Sequence, residues 1–312
     1  MGDILLTTPV IRALKLKFPS SQIDFVVKEQ YKDALQYNPL ISRLFIYEKE
    51  KSRELRDKLQ EQNYDLAIDL QNNFRSRALT ERLNIKVYRF HKPTMKKLLL
   101  VWFKINFLKD LKTISQRYAE TSNVQLDEKG LDLLIPQDIS SSLNEVKKYI
   151  GFCPGSKHFT KRWPAEYIIE LGNELIKLGF AVVLLGGKSD KELCKTISEK
   201  IVPSINLQND DNLLQTAVDM KNCKFIITND SGLMHLASAV GVPIISIFGS
   251  TVREFGFAPL GKQNLILENK SLSCRPCSHI GKSSCPKKHF KCMKEITPQL
   301  VLTNLQKFSK VL

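Results

Sequence analysis

Thr228-Asn229-Asp230-Ser231-Gly232-Leu233-Met234-His235 is the strongest chemical constellation in the chain. A β-branched run ends at Thr228, and a helix is predicted from Ser231. Free backbone N–H groups and the positive end of a helix dipole meet at such a junction, which suits a phosphate. Gly232 admits a ligand close to the backbone, and His235 falls one turn after Ser231 on the same helix face. A helix cap at Asp230 or Ser231 with a core-packed histidine accounts for the same residues. A second junction, Pro154-Gly155-Ser156-Lys157-His158-Phe159-Thr160-Lys161-Arg162-Trp163-Pro164, gathers small residues and cations between a strand and a helix. Hydroxyl and amide donors beside ammonium charge fit a diphosphate; a solvated basic loop is the plainer reading. Asp3, after Gly2, places a carboxylate before a helix, where it can deprotonate a hydroxyl or simply cap. Gly186-Gly187-Lys188-Ser189-Asp190 is a fourth such loop, and its acid suits ribose hydroxyls.

Four thiols, Cys274-x2-Cys277-x7-Cys285-x6-Cys292, stand near His279 and His289. Four such thiols could bind a structural zinc tetrahedrally, although a second C-x-x-C is lacking and a reduced cysteine-rich loop fits as well. Lys96 to Lys109 is basic and aromatic. It is too short to span a bilayer and reads either as an interfacial helix or as a partly buried one with snorkelling lysines. Several motifs are missing. There is no G-x-G-x-x-G after a strand, and the Gly-Lys-Ser triplets at 187–189 and 281–283 lack a P-loop's first glycine. There is no Asp-x-Asp for a metal-bound nucleotide sugar and no nucleophile elbow.

These residues must be positioned by an alternation of strands and helices. Thr8-Pro9 predicts an N-cap with proline opening a helix through Phe18. Strands are expected at 23–27, 44–47, 66–70 and 86–90, with helices at 51–62 and 74–83. After Pro136 the rhythm resumes: strands at 149–153, 181–185, 225–228 and 244–248, and helices at 164–178, 189–199, 210–220 and 231–239. Such alternation gives parallel sheets covered by helices. The first strand of a doubly wound domain is not seen ahead of Gly2, so the natural polypeptide is expected to start upstream. The 312 residues suit two domains at about 150 residues each. The fold class expected is therefore α/β, with two doubly wound domains facing a cleft, 1–145 and 146–312.

Lys plus Arg is 47 against 32 for Asp plus Glu, a net +15. That balance favours an anionic partner: nucleic acid, a membrane surface or a phosphorylated substrate. The basic residues are scattered and the motifs sit in strand-to-helix loops, so nucleic acid is not the expected partner. No 18-residue apolar stretch or secretory signal is present, and seven cysteines do not form a full disulfide framework. A cytoplasmic location is expected.

Taken together, the motifs resemble the heptosyltransferase family of lipopolysaccharide core synthesis, glycosyltransferase family 9. The likeness rests on Gly-Asp-Ile-Leu-Leu-Thr-Thr-Pro at 2–9, Lys161-Arg162-Trp163-Pro164, Asp230-Ser231-Gly232 with His235, and the cysteine-rich tail. The resemblance implies a GT-B fold with two Rossmann-like domains, the first for acceptor and the second for nucleotide-sugar. It also implies a C-terminal helix near 297–310 returning to the first domain. The implied reaction is inverting, metal-independent transfer of heptose from ADP-heptose to a lipid A–Kdo type acceptor, at the inner face of the inner membrane. By the same likeness Asp3 is the general base and Lys161 neutralises the leaving diphosphate. Ser156, Thr160, Asp230, Ser231, Gly232 and His235 bind donor, Asp190 or Glu192 the ribose, and Leu213 and Leu214 the adenine. Thr7, Arg75, Arg77 and Arg117 are acceptor candidates. A GT-B transferase using another nucleotide sugar and glycolipid is the alternative, and a basic nucleic-acid-binding protein a more distant one.

Overall fold

The computed structural model describes residues 1–108, 112–144, 148–261 and 263–309. The chain divides into two units. The first comprises Met1, Asp3–Thr94 and Lys112–Leu134, and the second Gly2, Met95–Leu111 and Ile135–Leu312. The expected division at 145 falls outside the described residues. The structure instead changes unit after Leu134, and it also gives Met95–Leu111 to the second unit. The cause is packing: Leu100 and Leu108 are buried with Val252 and Phe255.

In the first unit, β1 (Asp24–Val27) pairs with β2 (Arg43–Ile46), and β3 (Leu66–Asp69) with β4 (Lys86–Arg89), both parallel. These are two separate two-stranded sheets, and among the described residues no strand joins them. A two-stranded ribbon is marginal in water without further packing. Here Val26 of β1 and Phe45 of β2 pack on Leu55, Leu59 and Leu79, which come from the helices Ser52–Gln60 and Phe74–Thr80. The helix Thr8–Lys17 is fixed by Arg12, whose Nε donates to Asp127 at 2.8 Å and whose Nη1 pairs with Asp132. The Arg12 guanidinium holds the Asp127 carboxyl below the usual carboxylate range.

Two local expectations are corrected at the N-terminus. Gly2–Leu5 is a helical turn, not a loop. Thr7, not Thr8, occupies the N-cap position, and it makes no side-chain cap bond. The reason is that both hydroxyls turn backwards: Thr7 Oγ1 donates to the Ile4 carbonyl at 2.7 Å and Thr8 Oγ1 to Leu5 at 2.8 Å. Such back-bonding continues a helical path instead of capping a new one.

The second unit holds a six-stranded parallel sheet. Its strands are β5 (Tyr149–Cys153), β6 (Ala181–Leu184), β7 (Ser204–Asn206), β8 (Cys223–Asn229), β9 (Ile244–Phe248) and β10 (Asn264–Glu268), in the spatial order β10-β9-β8-β5-β6-β7. Counted from β5 this is the doubly wound order 3-2-1-4-5-6, whose direction reverses between β5 and β8. Both β5 and β9 are buried throughout, as strands covered on both faces must be.

The C-terminal helix is Pro298–Ser309. Val301, Leu302 and Leu305 join the second unit's core with Trp163, Leu171 and Phe225, and the rings of Phe308 and Phe225 are 5.9 Å apart. Its apolar face is therefore committed to the second unit. The basic-aromatic segment forms the helix Thr94–Phe103. Its inner side is buried through Leu100, while Trp102 and Phe103 remain 68% and 63% exposed. Lys109 lies outside the described residues.

Candidate active site

In an open α/β sheet the ligand crevice lies beyond the carboxyl ends of the strands, where strand order reverses. In the second unit that point is the pair of loops after β5 and β8. Asn229, the last residue of β8, ties them together. Its Nδ2 donates to the Pro154 carbonyl at 2.8 Å, and its Oδ1 accepts the backbone N–H of Trp163 at 2.9 Å. The indole of Trp163, 3% exposed, donates to the Ile296 carbonyl at 2.8 Å. The two loops thus form one rigid rim.

On this rim Lys161 Nζ lies 2.8 Å from Asp230 Oδ2, with both side chains largely buried. The Thr251 hydroxyl donates to the same carboxylate oxygen at 2.6 Å. The next residue, Ser231, caps the helix Gly232–Ala239 by position but not by bond, and its buried Oγ has no partner. An orphaned buried hydroxyl costs about 1–3 kcal/mol, and an anionic ligand oxygen at this helix end would satisfy it. His235 is buried one turn on, with its ring 6.4 Å from that of Phe257.

Thr160 is 1% exposed. Its hydroxyl lies 3.0 Å from Ser250 Oγ and accepts the Lys282 backbone N–H at 2.8 Å. Ser156 is buried, and its carbonyl accepts from Arg162 Nε at 2.7 Å. Just before the loop's basic stretch, His158 is held below its ordinary pKa by burial and then by the charges of Lys161 and Lys157.

Asp190 braces the loops after β5 and β6. Its Oδ2 accepts the Gly187 N–H at 3.1 Å, and burial raises its pKa against the pull of that bond and of Arg162. Its carboxylate lies against Gly155, where a Cβ would meet Oδ1 at 2.1 Å and Cγ at 2.3 Å. Gly155→Ala is therefore expected to destabilise the fold by about 1–3 kcal/mol, read as a lowered denaturation midpoint. Adding Asp190→Ala should recover most of that loss, whereas additive losses would contradict the brace. Glu192 is exposed, while Leu213 and Leu214 are buried at the start of the helix Leu213–Lys221.

The acceptor candidates all belong to the first unit. Asp3 is exposed on the Gly2–Leu5 turn. Thr7 is buried, with its hydroxyl already donated to Ile4. Arg75 and Arg77 are exposed on the helix Phe74–Thr80, Arg77 Nε donating to Asn72 Oδ1 at 2.8 Å, while Arg117 is buried in the helix Ile114–Thr121.

The zinc expectation is not met. Among the described residues no group of three or more His, Cys, Asp or Glu is disposed to hold a metal ion. The four thiols flank a loop organised by Arg275 instead. Its guanidinium donates to the carbonyls of Gly249 (2.6 Å), Phe248 (3.2 Å) and Thr251 (2.9 Å) and meets Glu268 Oε2 at 3.1 Å. Cys292 is a core residue, and burial pushes its thiol up to about 12, away from the thiolate a metal needs.

Asn229, Thr251 and Arg275 received no role from the sequence. Asn229 sits inside the motif, but its partners are 66 and 75 residues away. Thr251 reaches Asp230 across 21 residues, and no local pattern signals that contact.

A doubly wound parallel sheet with a cationic strand-to-helix loop beside an uncapped helix N-terminus, together with a second α/β unit, is the architecture of the GT-B fold. The family model described as glycosyltransferase family 9 (heptosyltransferase) matches residues 52–288. Among curated relatives, lipopolysaccharide heptosyltransferase 2 of Salmonella typhimurium is 28% identical, covering 98% of this chain and 94% of its own. Lipooligosaccharide heptosyltransferase 2 of Campylobacter jejuni is 26% identical, covering 99% and 96%. The solved structure of Escherichia coli ADP-heptose lps heptosyltransferase II has a TM-score of 0.78 at 25% identity, covering 98% of this chain and 95% of that one. The chain belongs to glycosyltransferase family 9 and is a glycosyltransferase.

Proposed function

We propose that the chain transfers heptose from ADP-heptose to the inner core of lipopolysaccharide, on a lipid A–Kdo type acceptor, with inversion and without a catalytic metal. The observation that carries this reading is the Lys161–Asp230 pair at the point where sheet order reverses, beside the unsatisfied Ser231 hydroxyl. The names of the relatives supply the sugar and the acceptor class.

In this reading the Asp3 carboxylate takes the proton of an acceptor hydroxyl. The freed oxygen attacks the anomeric carbon on the face opposite the diphosphate. The bond from that carbon to the diphosphate oxygen breaks, and ADP leaves with the electron pair. A single displacement of this kind inverts the anomeric centre. The Lys161 ammonium and the amides of Ser231 and Gly232 stabilise the charge that develops on the leaving group. Lys161 supplies the cation that a metal provides in enzymes with an Asp-x-Asp pair, and no such pair occurs here.

Asp230 orients Lys161 and the donor, and Thr251 holds Asp230. Thr160 supports the loop from beneath, Ser156 faces the diphosphate, and His235 backs the helix end. Asp190 holds the ribose side of the site, with Glu192 as a second acid, and Leu213 and Leu214 border the adenine. The first unit takes the acceptor: Thr7 shapes the turn that carries Asp3, while Arg75, Arg77 and Arg117 meet phosphate or carboxylate groups. The enzyme works in the cytoplasm at the inner face of the inner membrane, where such a glycolipid is exposed. Competition tests the donor: ADP is expected to displace a bound ADP-sugar and UDP is not, and selective protection by UDP would overturn the ADP reading.

A further inference from the structure

We propose that the helix Thr94–Phe103 and the segment after it, through Phe107, dock the enzyme on an anionic lipid bilayer. The helix has two unlike sides. Leu100, with Leu108 beyond the helix, is buried against Val252 and Phe255, and Lys97 Nζ lies 5.8 Å from the ring centre of Phe255 and 5.5 Å from that of Phe257. Large apolar side chains are nonetheless bare along this stretch: Met95 is 70% exposed and Trp102 68% on the helix, Phe103 63% at its last residue and Phe107 57% just beyond it. So many large apolar side chains left in water along one short stretch mark an interaction surface.

The surface is held rigidly. Lys104 closes the helix in a left-handed conformation, φ 60°, and its ammonium donates to the carbonyls of Val101 at 2.8 Å, Pro276 at 2.7 Å and Cys274 at 3.3 Å. That clasp fixes the helix end on the 274–276 loop, which runs on to the exposed Ile280.

Charge selects the occupant. Residues 91–109 contain five lysines and no aspartate or glutamate, within a chain of net charge +15. Lys92 and Lys96 are exposed beside the apolar face. Aromatic rings with lysines at their edges and no acid match an anionic headgroup layer over acyl chains. A helix of ten residues is too short to span a bilayer, so it lies in the interface plane. This surface deepens the glycolipid reading, since it would hold the enzyme where such an acceptor is embedded. Its test uses no sugar nucleotide and no acceptor, so the two readings fail separately.

The full chain is mixed with phosphatidylcholine vesicles, with and without phosphatidylglycerol. The chain has two tryptophans, and Trp163 is 3% exposed, so a blue shift reports Trp102 entering the bilayer. The expected result is a blue shift and co-sedimentation with the anionic vesicles only, both weakened by salt. Phe103→Ser with Phe107→Ser should cut binding about tenfold or more, and Lys92→Gln and Lys96→Gln roughly fivefold each, with the circular dichroism of the parent retained. Absence of binding to anionic vesicles would overturn the proposal. So would unchanged binding in the phenylalanine variant, or a dimer that this variant dissociates in a chain that does not bind vesicles.

Discussion

Lys161→Met is expected to lower kcat by about 10²- to 10³-fold, the usual loss when a fixed group facing transition-state charge is removed. The leaving diphosphate gains negative charge only as the glycosidic bond breaks, so the ammonium contributes more to the transition state than to the bound donor. KM should therefore change much less than kcat. Lys161→Arg should restore only part of the rate, because a longer, planar guanidinium keeps the pairing with Asp230 but spreads its charge over a fixed fork instead of the compact ammonium beside the leaving oxygen. A variant that raised KM with kcat intact would make Lys161 a donor-binding residue and nothing more. Thermal denaturation of Lys161→Met separates chemistry from folding, since removing one partner of a buried pair also costs stability. Here Asp230 keeps the Thr251 hydroxyl as a partner, which softens that cost.

Asp3→Asn should cost about 10²- to 10⁴-fold in transfer rate, the range for loss of a positioned general base. Asparagine keeps the size of the side chain and a hydrogen-bonding oxygen but cannot take the acceptor's proton. Asp3 belongs to the first unit, whereas the donor candidates are in the second, so ADP affinity measured by calorimetry should stay the same. A full transfer rate in Asp3→Asn would remove Asp3 from the mechanism. Weakened ADP binding with normal turnover would give it a structural role instead.

Much of the second unit was legible because its strands are short apolar runs punctuated by Gly, Pro and Asn. The strands expected at 149–153 and 244–248 are those of the fold. The spatial order of the strands was not written locally. Only that order brings Lys161, eight residues beyond β5, to Asp230 at the end of β8. The three-residue β7 and the edge strand β10 were not expected: the first is too short for a period-two pattern, and the second has only a three-residue apolar run, Leu265-Ile266-Leu267, set between polar residues. The helix Ile114–Thr121 was also absent from the expectation, although Thr113-x-x-Gln116 carries a capping-box signature that the structure forms.

The errors share a physical cause. Thr7 and Thr8 have the residue types of a cap, but their hydroxyls bond backwards. The four cysteines have spacing compatible with a metal, but Arg275 organises their loop and Cys292 is used as a core apolar residue. The structural part Asp190 plays, accepting the Gly187 N–H, is a separate matter from its proposed ribose role and has no local signal. The fit of its carboxylate against Gly155, which precedes it by 35 residues, became visible only in the folded chain.

The measurement that bears most directly on the proposed reaction is incubation of the chain with ADP-heptose, with and without a lipopolysaccharide acceptor truncated before its heptose region. ADP release and the mass of the glycolipid are followed together. The account predicts acceptor-dependent release of ADP, with one heptose gained by the glycolipid for each ADP formed and an undiminished rate in excess EDTA. Acceptor-independent hydrolysis, or transfer only from a nucleotide sugar other than ADP-heptose, would contradict it.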